Sequence, residues 1–140
     1  MGTYSMKQFY SIVTSTSPRA KHSIPFFEKK VGDTENFTGV VKMKQGDKVV
    51  IYVSTGKEKT GGIYGLGTVL SDAYDGVNPV TEKMEKRVDI RIDYICPENA
   101  PLLTHEEVRP SILGQTVRPQ YIRHSIDRVE KLFTDNGVEN

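Results

Sequence analysis

The sequence predicts an α+β fold, a small curled β-barrel of about five or six strands flanked by short helices. Residues 46–53 contain a continuous apolar run, which is typical of a strand covered on both faces. Residues 63–70 are predicted to be its partner strand. Gly65 and Gly67 should lie on one face, and the other face should carry Tyr64, Leu66, Thr68 and Leu70. Two glycines on one face indicate sharp coiling or the close approach of another backbone.

The N-terminal part of the chain predicts further short elements. Residues 9–13 form an apolar strand that runs into a Ser- and Thr-rich turn. Residues 19–23 are basic and predict a helical turn or loop, whereas residues 24–28 predict a short edge strand. A short helix is expected to begin at Asp33 or Thr34 and to end at Gly46. The apolar face of this helix would consist of Phe37, Val40 and Val41.

The C-terminal half predicts a loop, two strands and two helical segments. Residues 71–86 carry few apolar side chains and are expected to form the loop. Residues 88–95 alternate apolar and charged side chains, which predicts a strand with a solvated outer face rather than a catalytic trio of Asp89, Arg91 and Asp93. Thr104 and Glu107 have capping-box spacing. Residues 115–123 are predicted to be extended. A final helix should start after Ser125, with an apolar stripe of Ile126, Val129, Leu132 and Phe133 and with Gly137 beyond its end.

Composition is that of one ordinary globular domain over residues 1–140. The chain has 19 basic and 18 acidic residues and a net charge of +1, so bulk charge gives no support for nucleic-acid binding, which would need a local patch. No apolar run is long enough to span a bilayer, and no secretory signal is evident. The single cysteine, Cys96, is expected to be a buried thiol. These features favour a cytoplasmic location.

Patterns that indicate catalysis are missing from the sequence. His22, His105 and His124 are scattered, without the spacing that would place two metal ligands on one helical face. No nucleophile elbow occurs. The glycine-dense residues 61–67 lack the lysine and the following helix of a phosphate-binding loop. We therefore predict no catalytic residue, no metal and no cofactor.

Aromatic and hydroxyl side chains near strand ends are the best candidates for binding. Flat rings can sandwich a heterocycle, and hydroxyls can bond its edge. The predicted base-pocket residues are Ser15, Thr16, Phe26, Phe27, Tyr64 and Tyr74. Basic residues that could contact phosphates gather in three segments. They are Arg19, Lys21, Lys57, Lys59, Arg118 and Arg123.

The chain resembles the EVE domains of the PUA-like superfamily, which are related to YTH domains. The resemblance spans roughly residues 7–133 and depends on five segments: residues 9–15, 46–52, 63–69, 87–92 and 112–119. It implies a curled barrel flanked by helices and a base swung out of its stack into an aromatic pocket. Ser15 and Thr16 would form the polar wall, and Phe26 or Phe27 and Tyr74 would form the cage. The chain has no tryptophan, although cages in this superfamily commonly use one.

Two functions from different classes follow from these observations. The first is a non-catalytic module that recognises a modified base in DNA or RNA, as the targeting subunit of a restriction or RNA-processing system. The alternative is a sensor or enzyme for a nucleoside-like small molecule that uses the same pocket. Binding of nucleic acid should weaken steeply with salt, whereas binding of a small molecule should not.

Overall fold

A single curled sheet frames the molecule. The computed structural model describes residues 8–15, 29–54, 61–79, 81–97, 100–108, 120–122 and 126–138. The strands in these ranges are β1 (Phe9–Ser15), β2 (Thr34–Thr38), β3 (Lys48–Ser54), β4 (Gly62–Val69), β5 (Tyr74–Val77), β6 (Met84–Ile95), β7 (Leu103–Thr104) and β8 (Gln120–Tyr121). The helices are α1 (His105–Val108) and α2 (Ile126–Asp135). The half-barrel sheet with few short helices confirms the predicted fold class.

The order and direction of the strands determine which residues lie at each end of the sheet. The main path runs β2-β6-β4-β3-β1-β8, with β5 paired to β6 and β7 paired to β4. β1 and β3 are parallel, so that Phe9 lies opposite Lys48 at one end and Ser15 lies opposite Ser54 at the other. The remaining pairings in the described part of the chain are antiparallel.

The apolar run of β3 is buried on both faces, as predicted. Val49, Ile51 and Val53 belong to one core cluster, and Val50 and Tyr52 belong to the other. The first cluster also contains the inward residues of β6, including Val88, Ile90 and Ile92. The second cluster packs the sheet against α2, whose Val129 and Phe133 are fully buried. Cys96 is 3% exposed, which confirms the buried thiol, and burial raises its pKa.

Two β-bulges bend the central strands and change the predicted faces. The register shifts between Ile51 and Tyr52 where β3 pairs with β4, and between Leu66 and Gly67 where β4 pairs with β6. Each bulge adds a residue to one strand, which reverses the alternation beyond it. Tyr64 therefore lies in the first cluster and Leu66 in the second, so the prediction that they share a face is wrong.

The predicted close approach of backbones at the strand glycines is confirmed at Gly67. A Cβ atom there would lie 2.8 Å from the backbone oxygen of Arg91 and 2.7 Å from Cγ2 of Ile90. No side chain fits between the two strands at this point. Gly67 thus allows β4 and β6 to pack tightly at the bulge.

Both predicted helical segments near the C-terminus are confirmed. At α1 the backbone N–H of Glu107 donates to Oγ1 of Thr104 at 3.3 Å, and that of Thr104 donates to Oε1 of Glu107 at 2.9 Å, which is a capping box. α2 ends in a Schellman motif, with Gly137 at a φ of 74°. The N–H groups of Gly137 and Val138 donate to the oxygens of Thr134 and Phe133.

Two predicted elements are wrong. The helix expected from Asp33 is instead β2, which pairs with β6 from Thr34 opposite Arg91 to Thr38 opposite Arg87. Unpaired edge groups of β6 outweigh the local helical spacing. The expected loop over residues 71–86 contains β5 and the start of β6, which form a hairpin. The predicted edge strand over residues 24–28 and the basic segment over residues 19–23 lie outside the described residues.

Within the described ranges, no helix is long and apolar enough to cross a membrane.

Candidate functional site

Two predicted pocket residues, Ser15 and Tyr64, lie at the end of the sheet where β1 and β3 finish. Ser15 pairs with Ser54, and β4 begins at the same end, where Gly62 pairs with Val53. The two parallel strands therefore finish side by side. The points at which the chain leaves β1 and β3 are adjacent.

Beside this end of the sheet, β4 packs closely against β7, and β3 contacts α1. A Cβ atom at Gly62 would lie 2.6 Å from the backbone oxygen of Leu103, so only glycine fits. The Tyr52 hydroxyl lies 2.6 Å from Nδ1 of the half-buried His105, in a hydrogen bond. Burial, and then the nearby Tyr64, raise the pKa of Tyr52, so its phenol stays protonated and can donate. His105 is thus fixed by the fold, which its sequence surroundings did not indicate.

Tyr64 and Tyr74 lie in different environments. Tyr64 is 5% exposed within the first core cluster, and its backbone oxygen accepts from the N–H of Cys96 beyond the end of β6. Tyr74 is 38% exposed and pairs with Arg87, towards the opposite end of β6. A strand rises about 3.3 Å per residue, so these positions are far apart along β6. The structure does not bring the two tyrosines into one pocket, because the chain turns between β4 and β5.

The Tyr74 ring instead belongs to a polar cluster on β2, β5 and β6. Its hydroxyl donates to Oδ1 of Asp89 at 3.0 Å and accepts from Nδ2 of Asn36 at 2.8 Å. Burial of the ring is the first cause of a raised Tyr74 pKa. The hydroxyl is therefore already used by its neighbours.

Arg87 is the centre of this cluster and is only 4% exposed. Its Nε donates to Oδ1 of Asn36 at 2.7 Å, and its Nη2 donates to the Asn36 backbone oxygen at 3.3 Å. Its Nη1 donates to Oγ1 of Thr38 at 3.1 Å and to Oε2 of Glu85 at 2.8 Å. The guanidinium is satisfied internally, which indicates a structural role.

Glu85 links this cluster to acid stability. A hydrogen bond from the Thr38 hydroxyl, followed by bonds from Arg87 and Asn78, lowers the pKa of the Glu85 carboxyl against the opposing effect of burial. Because the folded pKa is lowered, this stabilisation is present above the unfolded pKa and is lost as the pH falls through the folded value. We expect Glu85→Gln to flatten the loss of unfolding free energy below about pH 4.3, measured by urea unfolding across that range. Parallel pH profiles for the two proteins would contradict this assignment.

A second polar site was missed by the sequence analysis. A cleft of about 360 Å³ is lined by Gly46, Lys48, Thr68, Arg91, Asp93, Gly137 and Val138. It lies where β3 begins, at the end of the sheet opposite Ser15 and Ser54. The bulge at Asp93 is what turns this carboxylate towards Thr68, and bulges leave little signal in an alternating sequence.

Most predicted site residues lie outside the described part of the chain. They are Thr16, Arg19, Lys21, Phe26, Phe27, Lys57, Lys59, Arg118 and Arg123. The side chain of Ser15 is likewise not described. Among the residues that are described, no group of three or more His, Cys, Asp or Glu side chains could hold a metal ion.

Comparison with known families decides the identity of the fold. The sequence model of the EVE domain matches residues 17–133, which is most of the chain. The chain belongs to the EVE domain family. EVE domains are PUA-like binding modules that often bind nucleic acids, and they are generally not enzymes. This EVE domain is therefore a binding module.

A solved structure shares the fold. It is described as a hypothetical protein from Leishmania major, and it superposes with a TM-score of 0.58 at 16% identity, covering 94% of this chain and 97% of its own. No curated protein sequence matches the chain significantly.

Proposed function

We propose that this EVE domain recognises a modified base in DNA or RNA that is flipped out of its stack into an aromatic pocket. The observation that carries the proposal is the family match over residues 17–133, since EVE domains often bind nucleic acid. Flipping costs a few kcal/mol, which stacking on aromatic rings and hydrogen bonds to the base edge can offset. The domain would act as the targeting module of a restriction or RNA-processing system.

The pairing of Ser15 with Ser54 supports a pocket at the end of β1 and β3. Both proposed polar wall residues, Ser15 and Thr16, stand where the chain leaves β1. The proposed aromatic residues Phe26 and Phe27 follow in the same connection. Tyr64 lies at the same end of the sheet, near the start of β4, and is the third proposed aromatic residue. Tyr74 lies outside this proposed pocket, because it pairs with Arg87 far along β6 and its hydroxyl is bound to Asn36 and Asp89.

Basic residues in the connections after β1 and β3 are the proposed phosphate contacts. Arg19 and Lys21 follow β1, and Lys57 and Lys59 follow β3. These two parallel strands end beside each other, at Ser15 and Ser54. The connections that carry the two pairs of basic residues therefore begin at the same end of the sheet. Arg118 and Arg123 precede and follow β8. They are the weaker members of the proposed set, because Tyr121 of β8 pairs with Tyr10 near the start of β1. Such contacts position the nucleic acid while the pocket selects the base.

Substitutions at these positions separate the two parts of the proposal. Phe26→Ala and Phe27→Ala should weaken binding of a modified oligonucleotide by about 1–3 kcal/mol for a base that stacks on the ring, with little effect on unmodified oligonucleotides. The double variant Lys57→Gln with Lys59→Gln should weaken binding of all oligonucleotides. For duplex DNA, the slope of log K against log salt concentration should become less steep by about 0.9 for each phosphate contact that is lost. Fluorescence anisotropy at several salt concentrations measures both effects.

Lys83→Gln is the control for loss of surface charge, because Lys83 is exposed on the β5–β6 hairpin and the change removes one positive charge, against two in the double variant. Binding by this variant should equal that of the unaltered protein. Equal losses in Lys83→Gln and in the double lysine variant would contradict the phosphate assignment. Tight, salt-independent binding of a free nucleoside would instead favour a small-molecule sensor.

A further inference from the structure

We propose that the cleft at the start of β3 binds a small organic anion through a phosphate or carboxylate group. The site is separate from the proposed base pocket. Lys48 marks the first residue of β3 and Ser54 the last, and six residues of strand span about 20 Å. The proposal therefore does not depend on recognition of a base.

The floor of the cleft is a buried ammonium group. Lys48 is only 3% exposed, so its ammonium group is held within the fold. Its Nζ donates to Oγ1 of Thr68 at 2.9 Å and lies 5.8 Å from the centroid of the Phe133 ring. The lysine stem thus packs against the core, while the charged end forms part of the cleft wall.

The Asp93 carboxylate holds two neighbouring side chains of the cleft in place through hydrogen bonds. One oxygen, Oδ2, accepts from the Thr68 hydroxyl at 2.5 Å, and the other, Oδ1, accepts from Nε of Arg91 at 2.7 Å. The Asp93 side chain is 11% exposed, so its charge is held within the wall rather than presented to solvent. Both carboxylate oxygens already accept a hydrogen bond.

Arg91 supplies the rim of the cleft. Its side chain is 47% exposed, and its hydrogen bond to Asp93 uses Nε alone. Within the described residues, Nη1 and Nη2 make no hydrogen bond, so two amino groups of a planar fork remain to donate. A guanidinium fork matches the oxygens of a carboxylate or a phosphate.

Charge and size select the ligand class. Both oxygens of Asp93 already accept hydrogen bonds, whereas the half-exposed Arg91 still has Nη1 and Nη2 to donate. The cleft therefore favours an anion over a cation. Val138 is the main apolar contribution, so an apolar ligand is poorly matched. The volume of about 360 Å³ lies within the range of ligand sites and exceeds what a bare ion needs. Gly46 and Gly137 leave open space where side chains would stand.

Titration with inorganic phosphate and with acetate, followed by amide NMR shifts, tests the proposal. We expect one of these anions to shift the amides of Gly46, Gly137 and Val138 in a saturable manner. Arg91→Gln and Lys48→Met should each weaken that binding by about tenfold or more, because each removes a charge-assisted donor. Arg91 is half-exposed, so its variant should fold even if Lys48→Met does not.

Lys83→Gln again provides a control of equal charge and should bind the anion as the unaltered protein does. Absence of saturable shifts with both anions would overturn the proposal, as would equal affinity in all three variants. Oligonucleotide affinity should be the same in Arg91→Gln and Lys83→Gln. A selective loss in Arg91→Gln would place a nucleic-acid phosphate in the cleft and overturn the assignment to a separate small molecule.

Discussion

Replacement of Arg87 by methionine is expected to lower the free energy of unfolding by about 1–3 kcal/mol, the usual cost of leaving buried hydrogen-bonding groups without their partner. Methionine keeps much of the apolar stem but donates no hydrogen bond. Asn36, Thr38 and Glu85 would lose the four bonds that the guanidinium makes to them. Glu85 would keep its bonds from Thr38 and Asn78. Urea unfolding followed by circular dichroism measures the change.

Lys86→Met is the matched control for this prediction. Lys86 is the preceding residue of β6, its side chain is 40% exposed, and it pairs with the exposed Asp75. Exposed pairs contribute little, so the control should change stability by less than about 1 kcal/mol. Similar losses for Arg87→Met and Lys86→Met would show that the polar cluster does not stabilise the β5–β6 hairpin.

Substitution of Gly67 by alanine should cost about 1–3 kcal/mol or more, as expected for overpacking a close contact. The added Cβ atom would meet the backbone oxygen of Arg91 at 2.8 Å, and a backbone group within the sheet cannot rotate away. Relief of the contact would require β4 and β6 to move apart at the bulge. The loss should appear as a lower midpoint of thermal or urea unfolding.

Gly76→Ala is the comparison for Gly67→Ala. Gly76 lies in β5, and its added Cβ would meet Cγ of Arg87 at 3.0 Å and Cε2 of Tyr74 at 3.2 Å, both of which are side-chain atoms. Its cost should therefore stay within about 1 kcal/mol, because a side chain can shift by a few tenths of an ångström. An unchanged stability for Gly67→Ala would contradict the tight packing of the two strands.

Elements were predictable from the sequence where the pattern of apolar and polar side chains along the segment identifies the secondary structure by itself. The apolar run of β3, the alternation in β6 and the stripe of α2 each match one secondary structure, and all three are confirmed. The helix predicted from Asp33 failed because β2 is decided by its pairing with β6, which local spacing does not encode.

The faces of the central strands show a second reason for failure. A β-bulge inserts one residue without changing composition, so strict alternation placed Tyr64 with Leu66 on one face. The same kind of irregularity positions Asp93 in the cleft with Lys48 and Thr68. The alternating pattern predicted Asp93 on a solvated outer face, but its side chain is mostly buried.

The most direct test of modified-base recognition is a binding titration with paired oligonucleotides that differ by one methyl group. The pairs should carry N-methylated adenine or C-methylated cytosine, in DNA and in RNA, at one moderate salt concentration. We expect at least one methylated member to bind about tenfold or more tightly than its unmodified partner, which corresponds to about 1.4 kcal/mol. Equal affinity within every pair would contradict recognition of these modified bases by this EVE domain.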